Sequence, residues 1–352
     1  MTDYLGQAFP ELSQRLPKTS LADLPTPVDA RSIVIGKQQR TISLKHDEHS
    51  SKIYGGNKVR KLEYLLRRAC DRNAQRVATF GTVASNHALA TALHAASLNL
   101  GCTCFLSHQI KTANVPLALN MHLQNGTEIV HFGGDRAARV RTLRRNLSNQ
   151  RCWVIPVGGS TWLGVLGFIN AGLELAEQID AKLVPEPQRL YVANGTMATS
   201  AGLALGLALA GLRTEVHAVR VTHDYIANPE AMRRLIAKTV MLMNRFDASF
   251  PADLGDKVRL IFRDEFFGGG YAHTTEAADK AIGLAREQLG LALDTTYTGK
   301  AMAALLHDAR RPELADQSLL FWNTYNSRPL PVTADRPEDT SALPAEFLRY
   351  FD

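Results

Sequence analysis

Lys58 stands directly after two glycines and an asparagine, in the run Tyr54-Gly55-Gly56-Asn57-Lys58-Val59-Arg60-Lys61-Leu62-Glu63. Val59, Leu62, Leu66 and Ala69 recur at helical spacing, which predicts an amphipathic helix beginning near the lysine. On that pattern Arg60, Lys61, Arg67 and Arg68 face water. The glycines allow a tight turn, so the amine can be held at the helix start without steric conflict. A helix N-terminus carries partial positive charge, which disfavours a second cation and eases loss of the amine's proton. A neutral, positioned amine is what a Schiff-base lysine requires. Taken alone, the run also fits a basic loop entering a surface helix.

Other segments offer matching chemistry. A phosphate needs concentrated backbone N–H donors, best supplied where a strand ends and a helix begins. Asn194-Gly195-Thr196-Met197-Ala198-Thr199-Ser200-Ala201-Gly202 has that position, with Gly195 for the turn and hydroxyls at Thr196 and Thr199. It matches neither G-x-x-x-x-G-K-S/T nor G-x-G-x-x-G, so nucleotide binding is weakly supported. Gly81-Thr82-Val83-Ala84-Ser85-Asn86-His87 lies in another strand-to-helix turn, where Ser85 or Asn86 could equally act as a helix cap. Gly158-Gly159-Ser160-Thr161-Trp162 is not a nucleophile elbow, because Trp162 takes the place of the final glycine. Tyr271 follows three glycines and Tyr297 lies in a Thr-rich turn, both common settings for a packing anchor.

In this order the segments resemble the fold-type II pyridoxal 5'-phosphate (PLP) enzymes that include 1-aminocyclopropane-1-carboxylate deaminase and D-cysteine desulfhydrase. The resemblance runs from about Leu24 to Thr324. It implies that Lys58 carries PLP as a Schiff base, with Lys61 among the cofactor contacts. It makes Gly195, Thr196, Met197, Ala198 and Thr199 the phosphate cradle, with Ala198 where glycine is usual. Asn86 would then bond the cofactor's phenolic oxygen, and Thr324 would meet the pyridine nitrogen. Tyr297 would pack beside the ring. Ser85, Asn86, His87, Gly159, Ser160, Thr161 and Trp162 would border the substrate, and Tyr271 would position substrate or proton. The family's arginine-glutamine pair is replaced by Leu89 and Ala90, and its Gly-Gly near the end by Tyr325 and Asn326.

The implied reaction is α,β-elimination from D-cysteine or a related β-substituted amino acid. Lys58 is the expected proton acceptor, with Ser85 or Tyr271 as alternatives. Deaminases of the cyclopropane acid carry glutamate after the second tyrosine and leucine near the pyridine nitrogen. This chain has Thr298 and Thr324, as the desulfhydrase branch does. The rivals are cyclopropane-acid deamination, elimination of a sulfonate or chloride, and a PLP-binding homologue with little turnover.

The elements that must position these residues follow from the pattern. From Arg76 to about Val221, short β-rich runs alternate with helical stretches. Strands are expected over 77–80, 102–106, 128–131, 153–155, 190–193 and 216–221. Helices are expected over 86–98 and 115–124, near Ala137, over 163–179, and after Asn194. Asn228-Pro229 marks a further helix start. Residues 328–343 should form an irregular tail, followed by an apolar patch (Phe347, Leu348, Tyr350, Phe351) able to dock back. The fold class is α/β, with open, mostly parallel twisted sheets and helices on both faces. The resemblance makes it a two-domain, tryptophan synthase β-like enzyme. It implies a larger domain of residues 1–58 and 171–352, an inserted smaller domain of 59–170, and a site in the cleft between them.

Composition bounds the rest. The 352 residues suggest about two domains, and 45% apolar with 21% charged is ordinary for a soluble protein. No apolar run reaches a membrane span and no leader pattern opens the chain, so a cytoplasmic protein is expected. Four cysteines do not make a disulfide framework, and Cys102 and Cys104 should share one strand face as buried apolar residues. His46-Asp47-Glu48-His49 lacks the His-Glu-x-x-His pattern, so no metal is expected. Arg139, Arg141, Arg144 and Arg145 read as a solvated helix face, and the net charge of +6 does not point to nucleic acid. The expected partner is a small amino acid, and the resemblance implies a homodimer.

Overall fold

The computed structural model describes residues 3–147 and 151–352. Among these, ten strands follow in chain order: β1 (Val28–Ile35), β2 (Gln38–His46), β3 (Arg76–Thr82), β4 (Gly101–Ser107) and β5 (Glu128–His131). Then come β6 (Cys152–Ile155), β7 (Arg189–Asn194), β8 (Glu215–Arg220), β9 (Leu260–Arg263) and β10 (Leu319–Asn323). The α/β expectation holds, and each expected strand and helix lies within a few residues of an observed element.

The chain divides into two compact units. The larger runs to Tyr64 and resumes over Ser160–Ser327; the smaller comprises Leu65–Gly159 and Arg328–Asp352. The boundaries thus differ from the expected 58/59 and 170/171, and the tail sits with the smaller unit rather than the larger.

In the larger unit six strands form one sheet in the order β1-β2-β10-β7-β8-β9. Only β1 and β2 are antiparallel, joined by a tight turn in which Gly36 has φ 66°. All other pairs in this sheet are parallel. Side-chain alternation along the central strands loads both faces. Tyr191 and Phe321 join one core cluster with Ile42, Leu44 and Leu305. Leu190, Val192, Leu320 and Trp322 join another with Phe168 and Leu203. That second layer needs small residues. A Cβ on Gly172 would lie 2.9 Å from the Gly206 backbone, so helices Trp162–Asp180 and Ala198–Leu209 nearly touch.

The smaller unit is a wholly parallel sheet, β5-β4-β3-β6. Cys102 and Cys104 do share a face of β4, their sulfurs 3.7 Å apart and buried. Arg139, Arg141, Arg144 and Arg145 on helix Arg136–Leu147 are exposed as expected. The C-terminal patch forms a 3-10 turn, Ala345–Tyr350, with Phe347 and Tyr350 buried. No helix among the described residues is long and apolar enough to cross a membrane.

The helix that starts at Lys58 spans Lys58–Asp71; Arg67 and Arg68 are partly exposed, but the first half of its expected wet face is not wet. Arg60 and Lys61 are both buried. Arg60 reaches the carboxylates of Asp47 at 2.8 Å and Glu174 at 2.9 Å, while Lys45 meets Glu174 at 2.6 Å. Two cations and two anions balance, so their mutual pairing offsets the desolvation that would otherwise hold them in water.

Candidate active site

The lysine loop in the larger unit is held almost entirely by backbone bonds. The Gly56 N–H donates to the Asp47 carbonyl at 2.9 Å and the Asn57 N–H to the Thr324 carbonyl at 3.1 Å. The Gly55 N–H donates to Asn326 Oδ1 at 2.9 Å. A Cβ on Gly55 would lie 2.1 Å from the Glu48 carbonyl, and one on Gly56 would lie 2.7 Å from that of Thr324. Gly56 also has φ 89°, so both glycines are required by close approach as well as by the turn. Asn326 is therefore a clamp on this loop.

Lys58 opens its helix with partial exposure. Burial of its amine lowers the pKa to about 8, and the Asp294 carboxylate opposes this only in part. Lys61 is pushed well down by burial and by the neighbouring Lys58, and its amine lies 5.9 Å over the Phe168 ring.

At the end of β7 the chain turns through Gly195, Thr196 and Met197 into helix Ala198–Leu209. Met197 adopts φ 75°, and no side chain caps the helix. Its leading N–H groups are thus not all satisfied by capping, as an anion site requires. The Ala198 N–H is engaged by the Thr196 carbonyl at 3.1 Å. Around the turn, Asn57 Nδ2 donates to Thr199 Oγ1 at 3.0 Å, Ser160 Oγ to Thr196 Oγ1 at 2.6 Å, and Thr222 Oγ1 to the Gly195 carbonyl at 2.6 Å. The Nδ2 groups of Asn194 and Asn323 are buried without a hydrogen-bond partner. Unsatisfied donors at the ends of β7 and β10, an uncapped helix start and a depressed lysine together fit a phosphorylated carbonyl cofactor.

The two tyrosines come together, with hydroxyls 2.5 Å apart. Burial and the neighbouring Tyr271 hold the Tyr297 phenol well above its ordinary range, so it stays protonated at neutral pH. Asp294 accepts from the Tyr297 N–H at 3.0 Å and from the Thr298 N–H at 2.8 Å and hydroxyl at 2.6 Å. It fixes the start of helix Thr298–Ala309. Lys300, on that helix, donates to the carbonyls of Phe267 at 2.7 Å and Gly270 at 3.3 Å, and so ties down the glycine loop that carries Tyr271.

Of the other expected residues in this unit, Thr161 caps helix Trp162–Asp180 through Gly164 at 3.1 Å. Trp162 stacks on Phe246 with ring centroids 5.8 Å apart. Thr324 is buried at the end of β10. The smaller unit holds the rest. Ser85 caps helix Asn86–Ala96 by accepting from the Ala88 N–H at 3.3 Å. Asn86 is partly exposed. His87 is buried, its Nε2 2.9 Å from Thr79 Oγ1 and 3.1 Å from the Pro156 carbonyl. Gly159 has φ 62°.

Sequence reasoning missed Asp294, Lys300, Asn57 and Asn326. Asp294 left no capping signal, since it lies three residues before the N-cap of its helix. Of the other three, Asn326 showed only as a departure from the family's glycine, while Lys300 and Asn57 act through contacts distant in sequence and left none.

The fold and this site define a PLP-dependent enzyme. The chain belongs to the pyridoxal-phosphate dependent enzyme family, whose model matches residues 19–324. It is 31% identical over 327 residues to a D-cysteine desulfhydrase of Klebsiella pneumoniae, covering 88% of this chain and 94% of that one. A D-cysteine desulfhydrase of Salmonella schwarzengrund is 32% identical over 324 residues, with the same coverage. Among solved structures, an ACC deaminase homologue superposes with a TM-score of 0.73 at 26% identity, covering 93% of this chain and 96% of that one. The cofactor is PLP and the protein is a PLP-dependent lyase.

Proposed function

We propose that the protein eliminates the β-substituent of D-cysteine or a close analogue. D-cysteine and water would give pyruvate, ammonia and hydrogen sulfide. Its likeness to D-cysteine desulfhydrases over nearly the whole of both chains carries this reading. The lysine and tyrosine chemistry supports it.

Bound PLP would supply the carbonyl that joins the substrate amine and the electron sink that makes the α-hydrogen acidic. The residues 194–199 turn is assigned to its phosphate, Asn86 to its phenolic oxygen, Thr324 to the pyridine nitrogen, and Lys58 to its covalent attachment. Lys61 is a further cofactor contact. A neutral Lys58 amine is suited to take the α-proton at Nζ, because its pKa of about 8 lies near working pH. Tyr297 and Tyr271, hydrogen-bonded to one another, can hand a proton to the departing sulfur from a phenol oxygen. Ser85, His87, Gly159, Ser160, Thr161 and Trp162 are assigned to the substrate's border. The neutral Thr324 hydroxyl does not fix a proton on the pyridine nitrogen as a carboxylate would. A modest electron sink suffices to release a thiolate from the β-carbon.

The cyclopropane acid is the second reading, favoured by the likeness to the ACC deaminase homologue. Thr298 bears on it, since its hydroxyl is committed to Asp294 and provides no acid for ring opening. We further infer a cytoplasmic homodimer, which sedimentation of the PLP-loaded protein tests. The deciding assay is sulfide release from PLP-loaded protein with D-cysteine. Rapid release that falls by at least about a thousandfold in Lys58→Ala supports the proposal. Ammonia from the cyclopropane acid with no sulfide from D-cysteine would replace it with deamination. Bound PLP with no product from either, across D- and L-amino acids, would leave a binding protein.

A further inference from the structure

We propose that His46, Glu48 and His49 form a binding site for a first-row divalent cation of the zinc type, beside the lysine loop in the larger unit. His46 ends β2, and Asp47–His49 makes one 3-10 turn, which brings all three side chains to the same side. One donor atom from each lies within 4.8 Å of the others. The absence of a His-Glu-x-x-His pattern argued against a metal here, but these residues form a tight turn rather than a helix.

Three features of the cluster point to a cation. His46 Nε2 lies 3.1 Å from Asp29 Oδ1 on β1, leaving Nδ1 turned to Glu48. A histidine ligand is commonly oriented in this way, by a carboxylate on its second nitrogen. His46 Nδ1 and Glu48 Oε1 are 2.7 Å apart. Around a tetrahedral ion with bonds of about 2.05 Å the two atoms would stand about 3.3 Å apart, so they already converge to within about 0.6 Å of ligand spacing. Glu48 is only 2% exposed, yet its Oε2 is buried with no hydrogen-bond partner. An imidazolium bridging Asp29 and Glu48 would satisfy Oε1 but leave Oε2 orphaned, and would give His49 nothing to do. A cation uses all three.

His49 is exposed and lies nearly parallel to His46, ring centroids 5.9 Å apart and planes at 21°. The site is therefore reachable from solvent. Two imidazoles and one carboxylate suit zinc, cobalt or nickel better than magnesium or calcium. The turn also leans on the lysine loop, through the Gly56 N–H to Asp47 bond and the contact between Gly55 and the Glu48 carbonyl. A cation here would stiffen the support of that loop without entering the chemistry at Lys58.

The test is equilibrium binding of Zn2+ to the chelator-washed, PLP-loaded protein, with metal counted by mass spectrometry and affinity by calorimetry. One ion per chain is expected, with affinity falling at least about tenfold in His49→Ala and in Glu48→Gln. His49 is exposed, so His49→Ala leaves the core intact, and retained PLP content and circular dichroism check this. Less than one equivalent bound at about 100 μM Zn2+, a concentration a three-donor site should saturate, overturns the proposal. Undiminished affinity in both variants overturns it equally, since the ion would then sit on other donors.

Discussion

Burial is what would fit Lys58 for the role proposed for it. An exposed lysine amine with a pKa near 10.4 is neutral in only about 0.04% of molecules at pH 7, whereas one at about 8 is neutral in roughly 10%. On the proposed assignment the neutral Lys58 amine would be the form that takes up PLP, so uptake by the apoprotein should accelerate with pH and level off above about 8. Stopped-flow absorbance of the visible cofactor band measures this, and an inflection near 10 would mean the amine is solvated. The same depression has a stability consequence in the apoprotein. The unfolded chain holds the Lys58 proton up to about 10.4 while the folded one loses it near 8, so this contribution to stability rises with pH across that window. Arg60, two residues on in the same turn, is the counter-example. Apolar periodicity assigned it to water, because charge is the only property periodicity reads, and its partners Asp47 and Glu174 lie 13 and 114 residues away in sequence. Arg60→Ala leaves two buried carboxylates facing Lys45 alone. A loss of about 3–5 kcal/mol in urea unfolding is expected, and a loss below about 1 kcal/mol would show that the network is solvated.

At the scale of elements, the alternating β and helical runs between Arg76 and Val221 were legible because parallel strands buried on both faces leave short apolar runs bounded by turns. The strands β1, β2, β9 and β10, and helices Glu276–Leu284 and Thr298–Ala309, were not assigned. β1 buries Ile33 and Ile35 but exposes Val34 between them at a sheet edge, so polarity does not alternate with burial. In β10, Leu319–Asn323 is buried throughout, so its five residues show no period at all. The glycine loop before Tyr271 shows what such gaps hide. Its motif was legible as a site for a tyrosine, but not its anchor, since Lys300 is reached only after helix Thr298–Ala309 folds back. Lys300→Met should free the carbonyls of Phe267 and Gly270 and let Tyr271 wander from Tyr297. We expect kcat to fall about tenfold or more with a smaller change in KM, and amides at 268–271 to exchange faster with deuterium. Unchanged exchange there would make Lys300 only a core filler.

For the whole molecule, the order of motifs identified the family, but the course of the chain after Ser327 was not in them. The resemblance placed the tail with the larger unit, because in the family the chain returns to the larger domain after the insertion, and motif order carries no information about where a Pro- and acid-rich segment docks. Two buried aromatic residues decide it. Phe347 packs edge-on against His108 and His131, with ring centroids 5.3 and 5.4 Å away. The Tyr350 hydroxyl donates to the Gln109 carbonyl at 2.9 Å and accepts from the Gln109 N–H at 3.1 Å, while His108 Nδ1 lies 3.1 Å from it. The tail thereby satisfies backbone groups just beyond the end of β4, which gain no partner from the strand ladder. Tyr350→Ala should open a cavity and leave both Gln109 groups unpaired, at a cost of about 3–5 kcal/mol. Tyr350→Phe removes only the hydrogen bonds and should cost about 1–3 kcal/mol. Hydrogen exchange followed by mass spectrometry reads the effect directly: amides of β4 and of the segment after it should lose protection in the order wild type, Tyr350→Phe, Tyr350→Ala. Equal protection in all three would mean that the smaller unit is complete at Gly159 and the tail only rests upon it.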